Sequence, residues 1–241
     1  MYTAHPTFIQ PENEDIKVWR YMDFTKFVSL IESQRLYFTR ADRFKDPFEG
    51  SWPKVNVAMR EIVPEGIPPD GHDAYLKATR DLGGHFKNSR RFMAINCWCM
   101  NEYESAAMWK LYLKSDEGIA IQSTYAKLKQ SLIDDERIYL GKVKYIDYDK
   151  EYIGGGNVLN PFVHKRKSFE HEQEIRVIVS KWPTRIEKSL QIKVDIETLI
   201  ERIYVAPSAS DWFADLVEAV ISRYGYNFEV VHSRLNEDPV F

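Results

Sequence analysis

Phe169-Glu170-His171-Glu172-Gln173-Glu174-Ile175-Arg176-Val177-Ile178-Val179 carries the clearest strand signal in the chain. Its second half is rich in β-branched residues, and a strand turns alternate side chains to opposite faces. On that reading Glu172, Glu174 and Arg176 share one face, while Ile175, Val177 and Val179 share the other. Two carboxylates and a guanidinium held at fixed separations suit stabilisation of a cationic or sugar-like transition state. The plainer reading of the same pattern is a salt-bridged exposed strand face.

On either side of this stretch, short apolar runs alternate with helical periodicity. Ile16–Tyr21 reads as a strand, and Asp23 is placed to cap a helix whose face is Phe24, Phe27, Val28 and Ile31. Residues 36–39, 91–99, 119–123, 138–146, 202–206 and 228–232 read as further strands, and Leu190, Ile192, Val194 and Ile196 alternate as in a half-buried antiparallel strand. Helices are expected over 104–113, 125–132 and around Phe213, Leu216, Val217, Val220 and Tyr224, with Gly225 as the stop. In residues 51–90, Pro64, Pro68, Pro69 and Gly71 interrupt regular structure around one helix near 73–82. Strands do not alternate regularly with long helices, which disfavours a doubly wound parallel sheet. The expected fold is α+β: a single domain over 16–241, with a mixed, mostly antiparallel sheet and packed helices, preceded by a flexible arm over 1–15.

The 241 residues suffice for one large domain, and 44% hydrophobic with 29% charged residues is ordinary for a soluble globular chain. A net charge of -3 argues against indiscriminate nucleic-acid binding. The basic runs 87–91 and His164-Lys165-Arg166-Lys167 read as solvated surface, with local phosphate contact as the alternative. Cys97 and Cys99 flank Trp98 on one strand face; a bond between them would be strained, and no second pair or histidine spacing supports zinc. They read as small buried hydrophobes. No apolar run is long enough to span a bilayer and the first residues lack a signal pattern, so the chain is expected to be cytoplasmic.

Several segments together resemble a large, mostly bacterial family catalogued as a domain of unknown function. They are Trp19-Arg20-Tyr21, Leu36-Tyr37-Phe38-Thr39-Arg40-Ala41-Asp42, Asp46-Pro47-Phe48-Glu49-Gly50, Cys97-Trp98-Cys99, Glu104-Ser105, Met108-Trp109 with Tyr112, and Glu172-Gln173-Glu174-Ile175-Arg176. Such families often sit among bacterial defence or mobile-element genes. More remotely, an early-strand arginine followed by a helix, a strand and a late Glu-x-Glu strand resembles the ADP-ribosyltransferase layout. That resemblance implies NAD as substrate and no metal. It implies Glu174 as catalytic acid, Glu172 as the first acid of the pair, and Arg20 as a dinucleotide contact. Two departures stand out: Asn96-Cys97-Trp98-Cys99 replaces the Ser-Thr-Ser of the arginine-specific enzymes, and Arg20 stands where another subgroup has histidine.

Around that layout, Arg20 or Arg40 would clamp a pyrophosphate through the planar guanidinium fork. Tyr21, Tyr37 or Trp109 would offer a face to nicotinamide, although Trp109 and Tyr112 at helical spacing also read as core. Asp46, Glu49, Glu104 and Arg176 complete the candidates. Asp46 before Pro47 is also an ordinary turn starter. The acceptor of any ADP-ribose is left open among protein, nucleic acid, small molecule and water. A rival reading gathers Asp46, Glu49, Glu104, Glu172 and Glu174 around Mg²⁺ as a nuclease or hydrolase, without a nearby lysine to complete the usual pattern. A third reading is a non-catalytic module that senses a nucleotide or phage component.

Overall fold

The computed structural model describes residues 1–113 and 115–240; Phe241, the end of the expected domain, lies outside the described residues. In chain order the elements are β1 (Lys17–Asp23), α1 (Phe24–Ser33), β2 (Arg35–Arg40), α2 (Lys54–Met59), α3 (His72–Ser89), β3 (Met93–Met100), α4 (Ala106–Tyr112), β4 (Gly118–Thr124) and α5 (Tyr125–Ser131). There follow β5 (Ile138–Lys142), β6 (Lys144–Ile146), β7 (His164–Arg166), β8 (Glu174–Ser180), β9 (Ser189–Lys193), α6 (Ile196–Leu199), β10 (Arg202–Val205), α7 (Asp211–Arg223) and β11 (Glu229–His232). The fold is α+β, with a nine-stranded, mostly antiparallel sheet in which β10 and β11 are the parallel pair.

The local reasons are conventional. Helix α1 buries Phe27, Leu30 and Ile31 on one stripe and ends at Gln34 in the left-handed region (φ 51). Helix α7 buries Phe213, Val217 and Ile221, and Gly225 (φ 83) stops it. Ser105 caps α4 by accepting from the Met108 amide. The prolines of 51–90 delimit helices rather than abolish them: Pro53 stands at the start of α2, Pro64, Pro68 and Pro69 lie between α2 and α3, and α3 runs well past the expected residue 82.

The sheet has a fork at its centre. One edge of β3 pairs with β8 along Met93 to Cys99. The other edge pairs with β1 only at Cys99 and Met100, and with β2 only at Ala94 and Ile95. Strands β1 and β2 therefore part company over Asn96–Trp98. Side chains fill the gap: Asn96 Nδ2 donates to the Tyr37 carbonyl at 2.8 Å, Trp98 Nε1 donates to Asn96 Oδ1 at 2.8 Å, and Arg20 donates to the Cys97 carbonyl. Backbone groups left without a ladder partner need such replacements.

Ile175, Val177 and Val179 of β8 enter the main apolar core together with Phe27 and Ile31 of α1 and Leu128 of α5. On the opposite face Ile178 joins a second cluster with Phe8, Ala41, Ile95, Tyr139 and Phe162. Phe8 of the N-terminal segment and Ala41 and Phe162 of two short 3-10 turns pack in that second cluster. The N-terminal residues, expected as a flexible arm, lie along β5: Thr3 N donates to Ile138 O at 2.8 Å, Lys142 N donates to Ile9 O at 2.8 Å, and Phe8 is buried. No helix among the described residues is long and apolar enough to cross a membrane.

Candidate active site

Strand β8 begins at Glu174, two residues later than Glu172. Lys167–Glu172 wind into a 3-10 turn, and Gln173 in the left-handed region (φ 42) swings the chain into the strand. Glu172 thus reaches the site from a turn, not from the strand face assigned to it by alternation. The shared face of Glu174 and Arg176 is also not exposed: the two residues are 4% and 0% accessible.

Two further segments close over that face. In the loop after β2, Asp46 Oδ1 accepts from the Phe48 amide at 3.1 Å and the Asp46 carbonyl accepts from the Glu49 amide at 3.2 Å. Gly50, at φ 66, then completes a turn that points Glu49 inward. A Cβ on Gly50 would lie 2.4 Å from the Phe162 ring, so glycine is demanded twice. From the other side, β7 delivers Lys165 between His164 and Arg166.

The result is a buried network of alternating charge. Arg176 donates from Nε to Glu174 Oε1 (3.0 Å), from one terminal nitrogen to Glu49 Oε1 (2.7 Å) and Glu174 Oε2 (3.1 Å), and from the other to the Phe162 carbonyl (2.8 Å). Lys165 Nζ donates to Glu172 Oε2 (2.6 Å) and Glu174 Oε2 (3.2 Å) and lies 3.7 Å from Glu49 Oε1. The Tyr145 hydroxyl accepts from the Glu174 amide at 2.8 Å. The Cys97 thiol lies within electrostatic reach of the Glu174 carboxylate.

The electrostatics split the acid pair. Burial alone would raise the Glu174 carboxyl, but Arg176 and Lys165 overcome it and bring it down to about 2. Glu172 moves the other way: burial raises it, and the ammonium of Lys165 opposes that rise without cancelling it. Burial would lower Lys165, yet Glu174 and Glu49 lift it, so it stays charged. Burial, reinforced by Glu174, pushes the Cys97 thiol well up, and burial with Glu172 and Glu174 pushes Cys99 up to about 11.

Arg20 occupies the fork on the far side of Cys97. Its guanidinium lies 6.0 Å over the Trp98 ring, and burial lowers its pKa. Among the described residues no carboxylate forms an ion pair with it; its charged neighbourhood consists of Cys97 and Tyr112. Tyr112 of α4 lies within electrostatic reach of Arg20, Cys97, Glu172 and Glu174 together, and its ring is partly exposed. It is the side chain common to the arginine and the acid pair.

The other sequence candidates are placed as follows. Arg40 is buried and committed: it donates to Asp42 (2.6 Å), the Ile186 carbonyl (2.7 Å) and the Glu187 carbonyl. Tyr21 and Trp109 pack edge to face at 5.0 Å, and both are buried, so neither presents a free ring face. Glu104 accepts from Trp109 Nε1 at 2.9 Å, apart from the acid network. Tyr37 lies on β2, half exposed. Asp46 pairs with Arg166 at 2.9 Å at the outer end of the Glu49 loop.

The expected gathering of Asp46, Glu49, Glu104, Glu172 and Glu174 around one cation does not occur. Among the described residues no group of three acids, cysteines or histidines has the spacing of a metal site. The centre between Glu49, Glu172 and Glu174 is filled by Lys165 and Arg176. The expectation that no lysine stands near these acids is corrected too. Lys165, read as part of a solvated basic run, is 9% exposed and bonded to them. Alternation within 164–166 was the available signal, since it turns Lys165 away from its two neighbours. Tyr145 carried no such signal.

No protein-family model matches the chain, and no curated protein does. Among solved structures, DarT of Thermus sp. 2.9 in complex with NAD+ is similar at a TM-score of 0.44 and 9% identity, over 93% of this chain and 98% of that one. DarT of Thermus sp. 2.9 in complex with ADP-ribosylated ssDNA is similar at a TM-score of 0.43 and 8% identity, over 94% of this chain and 97% of that one. Superpositions this loose assign no role to any residue of the site.

Proposed function

We propose that the chain is an NAD-dependent ADP-ribosyltransferase or NAD-cleaving enzyme, with its reacting centre at Glu174, Glu172, Arg20 and Tyr112. The observation that carries the reading is a guanidinium with no ion-pair partner among the described residues and a split carboxylate pair, all within electrostatic reach of one partly exposed tyrosine. A half-buried cation without an acid partner is stabilised by an anionic ligand, and a guanidinium matches a pyrophosphate in shape. Acid pairs whose environments drive them apart are natural divisions of labour.

In the proposed reaction the bond from nicotinamide nitrogen to ribose C1′ breaks and its electron pair leaves with nicotinamide. Positive charge grows on the ribose ring, and Glu174, fixed and ionised, stabilises it. An acceptor oxygen or nitrogen then bonds to C1′, and its proton passes to Glu172. Among the described residues, Arg40, bonded to Asp42 and the Ile186 carbonyl, and Tyr21 and Trp109, packed on each other, make no hydrogen bond or ion pair to the acid pair and are left out of this assignment. Tyr37, beside the fork, remains a candidate for contact with the nicotinamide. The association with bacterial defence rests on the family resemblance alone.

The test is mass spectrometry of NAD incubated with the protein, alone and with candidate acceptors. Release of nicotinamide is expected, and Glu174→Gln should lower turnover by roughly 10²–10³-fold. Folding of the variant is checked by circular dichroism. Turnover retained in a folded Glu174→Gln protein would remove that residue from the role. NAD binding without turnover in the wild type would instead favour the sensing module.

A further inference from the structure

We propose that Lys165 is a positioning residue for the acid pair: its ammonium clamps Glu172 to Glu174 and so holds the proton-accepting carboxylate in place. This rests on the reading above for the role of the acids, but the clamp itself rests on geometry. Lys165 Nζ donates to Glu172 Oε2 at 2.6 Å and to Glu174 Oε2 at 3.2 Å, and among the described residues no other bonds to both side chains. It is 9% exposed, and its charge also lies 4.8 Å over the Phe169 ring.

The backbone beside Glu172 is held, Gln173 N donating to Glu170 O at 3.1 Å and Met100 N to Gln173 O at 2.8 Å, but among the described residues its carboxylate is hydrogen-bonded by Lys165 alone. Glu172 ends a 3-10 turn, followed by the left-handed Gln173, whereas Glu174 is anchored in β8 and held by Arg176. The groups facing Glu172 are Lys165 from β7, Glu174 from β8, Cys99 from β3, Tyr112 from α4, Tyr145 from β6 and His171 of its own turn. Lys165 is the only strand-borne cation of that set. Its removal leaves two partly desolvated carboxylates facing one another, and like charges disfavour joint ionisation. Glu172 then holds its proton to higher pH.

The test compares wild type, Lys165→Met and Lys165→Arg. If NAD is turned over, the acid limb of the rate–pH profile should move up by about one pH unit or more in Lys165→Met. The KM for NAD should change little, and Lys165→Arg should restore much of the wild-type profile. A readout independent of turnover is the side-chain carboxyl ¹³C titration of Glu172, assigned with Glu172→Gln: it should rise in Lys165→Met. An unmoved titration would overturn the clamp whether or not NAD is a substrate, and a missing turnover with a moved titration would overturn only the enzymatic reading. If Lys165→Met does not fold, Lys165→Arg decides. A Glu172 titration near the wild-type value supports the clamp, and one shifted upward despite the retained charge overturns it.

Discussion

At the scale of single residues, Arg176 is the node of the site. It is wholly buried and bonds to two acids and a carbonyl, so each acid it holds is fixed in direction. Such a network is stabilising as a whole but costly to break, since removal of one partner strands a buried charge. Its pH dependence follows from the directions of the shifts. Glu174 is depressed on folding from an ordinary value near 4.5 to about 2. Its contribution is therefore present above the unfolded value and lost as pH falls through the folded one. Lys165 is raised, so its contribution holds below its ordinary 10.5 and fades as the solution becomes more alkaline than that. Glu172 is raised, so it favours the folded state when protonated and loses that contribution as pH rises through its folded value. Urea midpoints should drop steeply from about pH 4.5 to about pH 2, and a folded Glu174→Gln variant should show a shallower drop. An equal drop in both would show that other carboxylates govern acid unfolding.

At the scale of elements, the loop from Asp46 to Gly50 and the turn from Lys167 to Gln173 do what the strand alone does not. Each ends in a backbone conformation rare for side-chain-bearing residues, and each thereby delivers an acid: Glu49 and Glu172. Gly50→Ala is expected to destabilise the protein by about 1–3 kcal/mol, because φ 66 is strained for alanine and the new Cβ meets Phe162. It should also loosen Glu49 from Arg176. Chemical unfolding gives the first quantity, and a structure of the variant shows the second. A variant as stable as wild type would mean that the loop relaxes freely and does not position Glu49.

At the scale of the whole molecule, the N-terminal segment covers the outer edge of β5. Phe8 stacks on Tyr139 with ring centroids 5.2 Å apart, and the backbone of Gly141 lies so close that a Cβ there would be 2.9 Å from Phe8 Cβ. An uncovered strand edge is a template for association. Deleting residues 1–10 should cost about 3–5 kcal/mol through Phe8 alone and promote concentration-dependent association. Unfolding curves and light scattering read the two effects. No change in either would support a loosely held arm.

The sequence by itself determined the strand and helix framework, because periods of two and 3.6 are local properties of the chain. It put Ile175, Val177 and Val179 on the core face and Glu174 with Arg176 on the other, as observed. It also marked Glu49 and Arg20 as worth attention. Only the tertiary structure decided that the face is buried, that Lys165 leaves its basic run to bridge two acids, and that Arg40 is committed elsewhere. The covering of Arg176 by Glu49 and the commitment of Arg40 to the Ile186 carbonyl join residues more than a hundred positions apart, whereas Lys165 meets its acids seven and nine positions away across the Lys167–Glu172 turn. A charge in sequence has no partner until the fold supplies one, and burial, which decides what that charge can do, is a property of the assembled sheet and its covering loops.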